Sequence, residues 1–184
     1  MKPFPVDRAR HKILSQDILI PIIHRAKAKG CRVVFTNGCF DLLHAGHVNL
    51  LERSRRLGDL LIVAINSDRS VRVLKGPRRP LVGQRDRSVI LAALACVNYV
   101  TIFHERTPER LIERLQPDVL VKGGDWDRQH IVGSQILKRT GGRVVRIPLL
   151  KGRSTSALIE RIRQRISKPR DFARGALHPQ PRMA

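Results

Sequence analysis

RVVFTNGCFDLLHAGH, residues 32–47, runs from an apolar, β-branched segment into two histidines separated only by Ala45 and Gly46. Val33, Val34 and Phe35 have strand chemistry, so a first strand is predicted over Arg32–Thr36. Downstream, Val48–Leu57 sets Leu50, Leu51 and Leu57 among Glu52, Arg53, Arg55 and Arg56, and Gly58 follows. That is an amphipathic helix with a glycine stop. His44 and His47 therefore stand where a strand gives way to a helix.

The pattern repeats outward from this unit. Ser15–Lys29 carries Ile18, Leu19, Ile22, Ile23 and Ala26 at helical spacing and is stopped by Gly30. Leu60–Ile65 is apolar throughout, as for a strand covered on both faces. Residues 66–83, broken by Gly76, Pro77 and Pro80, are expected to form a long polar loop with a cationic stretch at Lys75, Arg78 and Arg79. A helix is expected over Asp86–Ala95, a strand over Tyr99–Phe103 and a helix start at Thr107-Pro108-Glu109. Strands are also expected at Val119–Val121 and Arg143–Ile147, and a last helix is capped by Ser154-Thr155-Ser156 and runs to Ile166. Strands alternating with helices predict a doubly wound, Rossmann-like α/β fold with a parallel sheet in a single domain. The domain is expected to span residues 13–167, between an arm at 1–12 and a flexible basic tail at 168–184 that has three prolines and no periodicity.

The 184 residues suffice for one core without disulfides or metals. Cys31, Cys39 and Cys96 form no CxxC pair and are expected as reduced thiols. No apolar run approaches the ~18 residues of a membrane span, and no secretory leader is evident, so a cytoplasmic protein without membrane partners is expected. With 36 Lys+Arg against 15 Asp+Glu the formal charge is +21, which points to anionic ligands. The charge is scattered and aromatics make up only 4% of residues. Both features speak against a nucleic-acid partner that would need a stacking platform.

Three roles compete for the histidines. Metal binding at i, i+3 spacing would need further ligands, and none is marked nearby. Packing without chemistry fits poorly with a place at the ligand edge of the sheet. Anion recognition uses what a helix N-terminus offers: unpaired backbone N–H groups, the positive dipole end, a glycine at Gly46 that lets a phosphate approach, and two imidazole N–H donors.

In this setting HAGH resembles the HxGH motif of the nucleotidylyltransferase superfamily. Several further segments, among them INSDRSVRVLKGPRRP, DRSVILAALACV, PDVLVKGGDW and IPLLKGRSTSALIERI, resemble the D-glycero-β-D-manno-heptose 1-phosphate adenylyltransferase family over residues 13–166. The resemblance implies transfer of AMP from ATP to a sugar 1-phosphate, with Mg²⁺ carried mainly by nucleotide phosphates and no protein metal site. It implies catalytic roles for His44, His47 and Lys75. It implies nucleotide or phosphate contacts from Thr36, Asn37, Gly38, Cys39, Phe40, Asp41, Gly46 and Arg87. The base is implied near Lys122, Gly123, Gly124, Asp125 and Trp126, and the terminal phosphates near Ser154 and Thr155. A homodimer and an upstream heptose kinase on a separate protein are also implied. Asp41 has a second reading, as the anchor of a neighbouring loop. The chain departs from the family pattern at Arg153 and Ser156, where G-aromatic-S-T-T is expected, and at Gln135, where an acidic residue is common. Rival readings are a cytidylyltransferase, an FMN adenylyltransferase, or a basic nucleic-acid-binding protein on the same fold.

Overall fold

A computed structural model describes residues 7–124, 131–150 and 152–167. Five strands form one parallel sheet: β1 (Val33–Gly38), β2 (Leu60–Asn66), β3 (Tyr99–Phe103), β4 (Val119–Gly123) and β5 (Arg143–Ile147), in the order β3-β2-β1-β4-β5. The helices are α1 (Asp7–Arg10), α2 (Gln16–Ala28), α3 (Ala45–Arg55), α4 (Asp68–Lys75), α5 (Gln84–Ala93), α6 (Glu109–Leu115), α7 (Ser134–Thr140) and α8 (Thr155–Ser167).

The three central strands, β1, β2 and β4, bury both faces. Val33, Phe35, Ile62, Ala64 and Leu120 pack with Leu19 and Ile23 of α2, Ile112 of α6 and Ile136 of α7. Val34, Leu61, Val63, Val119 and Val121 point the other way and pack with Leu50 and Leu51 of α3 and Leu91 of α5. This strict alternation is the period-two pleat. The same parity fixes the strand ends. Asn37, Asn66 and Lys122 fall on the α2/α6/α7 face, whereas Gly38 and Gly123 fall on the α3/α5 face.

The chain winds outward from β1 through β2 to β3, then returns to the other side of β1 for β4 and β5. Connections therefore leave the carboxyl ends of β1 and β4 in opposite directions and open a crevice there, the place where open α/β sheets bind ligands. Thr36, level with Val121, closes the sheet below that crevice by donating its hydroxyl to the Val121 carbonyl at 3.1 Å.

The loop expected over residues 66–83 is corrected: Asp68–Lys75 is helical. Ser67 caps it by accepting from the Ser70 N–H at 3.2 Å, and Asp68 suits the positive end of its dipole. So short a helix buries only Ser70 and Val71, so it leaves no apolar stripe in the sequence. α7 also has no counterpart among the sequence expectations; it sits between left-handed glycines Gly133 and Gly141. β1 runs two residues further than predicted and α3 starts at Ala45 instead of Val48. Before residue 13, α1 leads into Lys12, whose Nζ donates to the Val97 carbonyl at 2.8 Å, and the Leu14 N–H donates to Val100 at 2.9 Å. Among the described residues no helix is long and apolar enough to cross a membrane. The expected tail, 168–184, lies outside the described residues.

Candidate active site

The turn from β1 to α3 carries the histidines. Phe40 takes a positive φ of 46°, which swings the chain off the strand end. Its ring lies against His47, with centroids 5.2 Å apart. A Cβ on Gly38 would come within 3.1 Å of the Phe40 ring, so glycine lets that ring fold back over the strand. His44 is the N-cap of α3: its Nδ1 accepts from the Gly46 N–H at 3.1 Å. With Nδ1 as acceptor, the proton of neutral His44 is assigned to Nε2, which is left as a donor. A Cβ on Gly46 would sit 3.0 Å from the His44 ring and 3.3 Å from the Arg153 Cβ. Glycine is thus needed for this three-way approach as well as for access to the helix terminus.

The two imidazoles stack at 3.8 Å between centroids and 21° between planes. Burial, with His44 beside it, pushes His47 down to about 4. Burial and then the Arg153 guanidinium lower His44. Both rings are therefore neutral at pH 7, each with one N–H to give. His47 Nδ1 is buried with no hydrogen-bond partner in the protein, a cost that structures seldom carry without a use. Between pH 6.5 and about 4 the unfolded chain protonates at His47 and the folded chain does not. Folding stability should consequently fall as pH drops through that window, by at most about 3 kcal/mol, and by less because the ring is partly solvated. Urea titrations at pH 7 and pH 5 check this: the loss should be smaller in His47→Ala, and an identical loss in both proteins would contradict it.

α8 brings a second helix N-terminus to the same place. Ser154 caps it, accepting from the Ala157 N–H at 3.1 Å, and the Thr155 hydroxyl donates to the Leu42 carbonyl at 3.3 Å, which ties α8 to the turn preceding His44. Arg153, which the sequence marked only as a departure from a pattern, stands beside His44 and Gly46. Its place directly before the cap serine was the available signal. Lys75 is exposed at the end of α4, and of the charges acting on Cys39 its is the largest, although burial prevails and raises that thiol. Lys75 also lines a groove with Arg78, Arg79, Ser156 and Arg163.

Three residues implied to touch ligand are engaged within the fold. Thr36 is spent on the β1–β4 bond. The Asp41 carboxylate accepts from Arg79 Nε at 2.5 Å, from the Leu81 N–H at 2.8 Å and from the Val82 N–H at 2.9 Å. These donors outweigh its burial and hold it below the usual carboxylate range. It anchors the 79–82 loop. Arg87 is 1% exposed. It donates from Nε to the Val82 carbonyl at 2.9 Å, from Nη1 to the Cys39 carbonyl, and from Nη2 to the Asn66 carbonyl at 2.9 Å and Asp68 Oδ1 at 2.7 Å. Four of its five N–H donors are committed in this way and its side chain is sealed from solvent, which suits a structural role. It joins the ends of β1 and β2 to the loop.

On the opposite face Lys122 Nζ donates to Asn37 Oδ1, and burial lowers this lysine to about 8. A Cβ on Gly123 would lie 3.0 Å from the tip of the exposed Leu149 side chain, a tight contact. Gly124, at φ 100°, donates its N–H to Ile147 at 3.0 Å. Asp125 and Trp126 lie outside the described residues. Among the described residues no cluster of three or more His, Cys, Asp or Glu could hold a metal. The groups around the histidines are neutral or cationic, and the nearby Asp41 carboxylate is committed. This donor chemistry suits a metal that arrives on an anionic ligand.

The profile of the cytidylyltransferase-like family matches residues 35–161, from β1 through the greater part of α8. The chain belongs to the cytidylyltransferase-like family. Within it, the chain is 52% identical over 156 residues to the bifunctional protein HldE of Pelobacter propionicus, covering 85% of this chain and 32% of that protein. It is 55% identical over 152 residues to HldE of Geotalea uraniireducens, covering 83% and 31%. This cytidylyltransferase-like chain thus spans about a third of the length of these relatives. The crystal structure of the lipopolysaccharide core biosynthesis protein from Thermoplasma volcanium superposes with a TM-score of 0.54 at 26% identity, covering 66% of this chain and 98% of that one.

Proposed function

We propose that this chain is an adenylyltransferase that moves AMP from ATP to D-glycero-β-D-manno-heptose 1-phosphate, releasing pyrophosphate and giving ADP-heptose for the lipopolysaccharide inner core. The observation that carries the chemistry is the stacked, neutral His44–His47 pair on the N-terminus of α3, with Arg153 and Ser154 beside it. The choice of substrate is supported by the similarity to HldE proteins and to a lipopolysaccharide core biosynthesis protein.

In this reading the triphosphate lies across the N-termini of α3 and α8. His44 Nε2–H and an N–H of His47 hold the oxygens of the α-phosphate, and Arg153, the Ser154 region and Lys75 take the charge of the leaving pyrophosphate. A sugar 1-phosphate is already an anionic nucleophile near neutral pH, so it needs no general base. Its oxygen forms a bond to the α-phosphorus while the bond to the β-phosphate bridging oxygen breaks, and pyrophosphate leaves with that electron pair. Positioning and electrostatic stabilisation supply the acceleration. Mg²⁺ bound to the phosphates would neutralise part of their charge. Neutral imidazoles suit the site because they donate without the hydration cost of ammonium groups.

The family description also admits a cytidylyl donor. Purified protein with Mg²⁺, ATP or CTP, and a panel of heptose 1-phosphate, glycerol 3-phosphate and FMN separates these readings by pyrophosphate release. Release with ATP and heptose 1-phosphate alone is expected. Release with CTP, or only with another acceptor, would replace the proposed substrates.

A further inference from the structure

We infer that the cavity on the α2/α6/α7 side of the strand ends, across β1 from the histidines, is the acceptor subsite for a phosphorylated sugar, and that Lys122, aligned by Asn37, is the residue that recognises it. The inference rests on the nucleotidyl-transfer reading above and assigns the second substrate a place.

The cavity encloses about 410 Å³ and is bounded by Asn37, Asn66, Lys122, Arg106 and Thr107 over an apolar wall that includes Leu74 and Ile131. That volume is of the order of small-molecule sites. Asn37 and Lys122 share a face by strand parity, and the histidines reach the strand ends from the other face through α3. A phosphate chain held at the α3 and α8 N-termini and a nucleophile held in this cavity would meet over the end of β1 from opposite sides. In-line displacement requires that arrangement.

The lining chemistry selects between acceptor and base. Lys122 is a desolvated cation, lowered to about 8 by burial. Its bonding partner is an uncharged amide, and among the described residues it makes no ion pair. Arg106 adds a second cation at the rim. A sugar phosphate brings Lys122 a countercharge that an adenine ring does not carry. With Asn37 Oδ1 accepting from Lys122, both N–H groups of the Asn37 amide have no partner among the described residues and can serve sugar hydroxyls or phosphate oxygens.

The test uses the full chain, with ATP and heptose 1-phosphate each varied against saturating partner. Lys122→Met removes the cation at similar volume. Thr107→Trp fills the cavity from its exposed rim and leaves the core untouched, so it reports even if the first variant folds poorly. Both variants should raise the KM for heptose 1-phosphate about 10- to 100-fold, as expected for a lost charged hydrogen bond, while calorimetric affinity for ATP changes less than about twofold. A rise confined to the KM for ATP would put the base in the cavity and overturn the inference, as would unchanged KM values for both substrates. If wild-type protein binds ATP but turns over no sugar 1-phosphate, the proposed function fails first and the subsite assignment falls with it.

Discussion

His47→Ala lowers turnover by about 10²–10³-fold, or roughly 2.7–4 kcal/mol of barrier, the usual cost of one preorganised donor to a developing oxyanion. The ring has been placed where a helix N-terminus, the stacked His44 and Phe40 fix its orientation. Its buried Nδ1 has no protein partner, so removing the side chain removes an unsatisfied polar atom along with some packing. Those two contributions oppose each other, and the variant should fold. The loss should appear in kcat with heptose 1-phosphate and ATP both saturating, and the circular dichroism spectrum should match wild type. Near-normal turnover in a folded His47→Ala protein would remove the histidine pair from the chemistry.

Arg87→Ala has the largest expected effect on stability, a loss of about 3–5 kcal/mol, as for breaking a buried ion pair from one side. It would strand the carbonyls of Val82, Cys39 and Asn66 and leave Asp68 Oδ1 without its guanidinium. Lysine should not rescue it, because one ammonium cannot span the forked set of acceptors that a guanidinium reaches. The midpoint of urea unfolding reads this directly. Were Arg87 a phosphate ligand, alanine would leave the midpoint nearly unchanged and raise the KM for ATP. That pattern would overturn its place as a structural hub.

The contrast between these two residues shows what the sequence displayed. His44 and His47 were legible because a three-residue spacing, a preceding strand and a following helix all converge on one place. The strands were legible because most are compact apolar runs between turn residues, and β5, with Arg143 and Arg146, still carries Val144, Val145 and Ile147. α4 was not, since its two turns bury Ser70 and Val71 and expose Val73 and Leu74, which reads as a polar loop beside Gly76 and Pro77. The burial of Arg87 was illegible for a different reason. A cation in a phosphate-rich context looks like a ligand, and only three-dimensional packing reveals that carbonyl oxygens from the ends of β1 and β2 surround it. For Asp41 the second reading, anchor of a neighbouring loop, is the one its hydrogen bonds fit, with donors some 40 residues downstream at Arg79, Leu81 and Val82. The parity that sets Lys122 beside Asn37 depends on strand register, which no single segment contains.

The most direct measurement follows the label from ATP carrying ³²P at either the α or the γ position, in the presence of heptose 1-phosphate and Mg²⁺. Nucleotidyl transfer at the His44–His47 site predicts α-label in the sugar nucleotide and γ-label only in pyrophosphate. Label from the γ position on the sugar, or α-label that never leaves ATP, would contradict it.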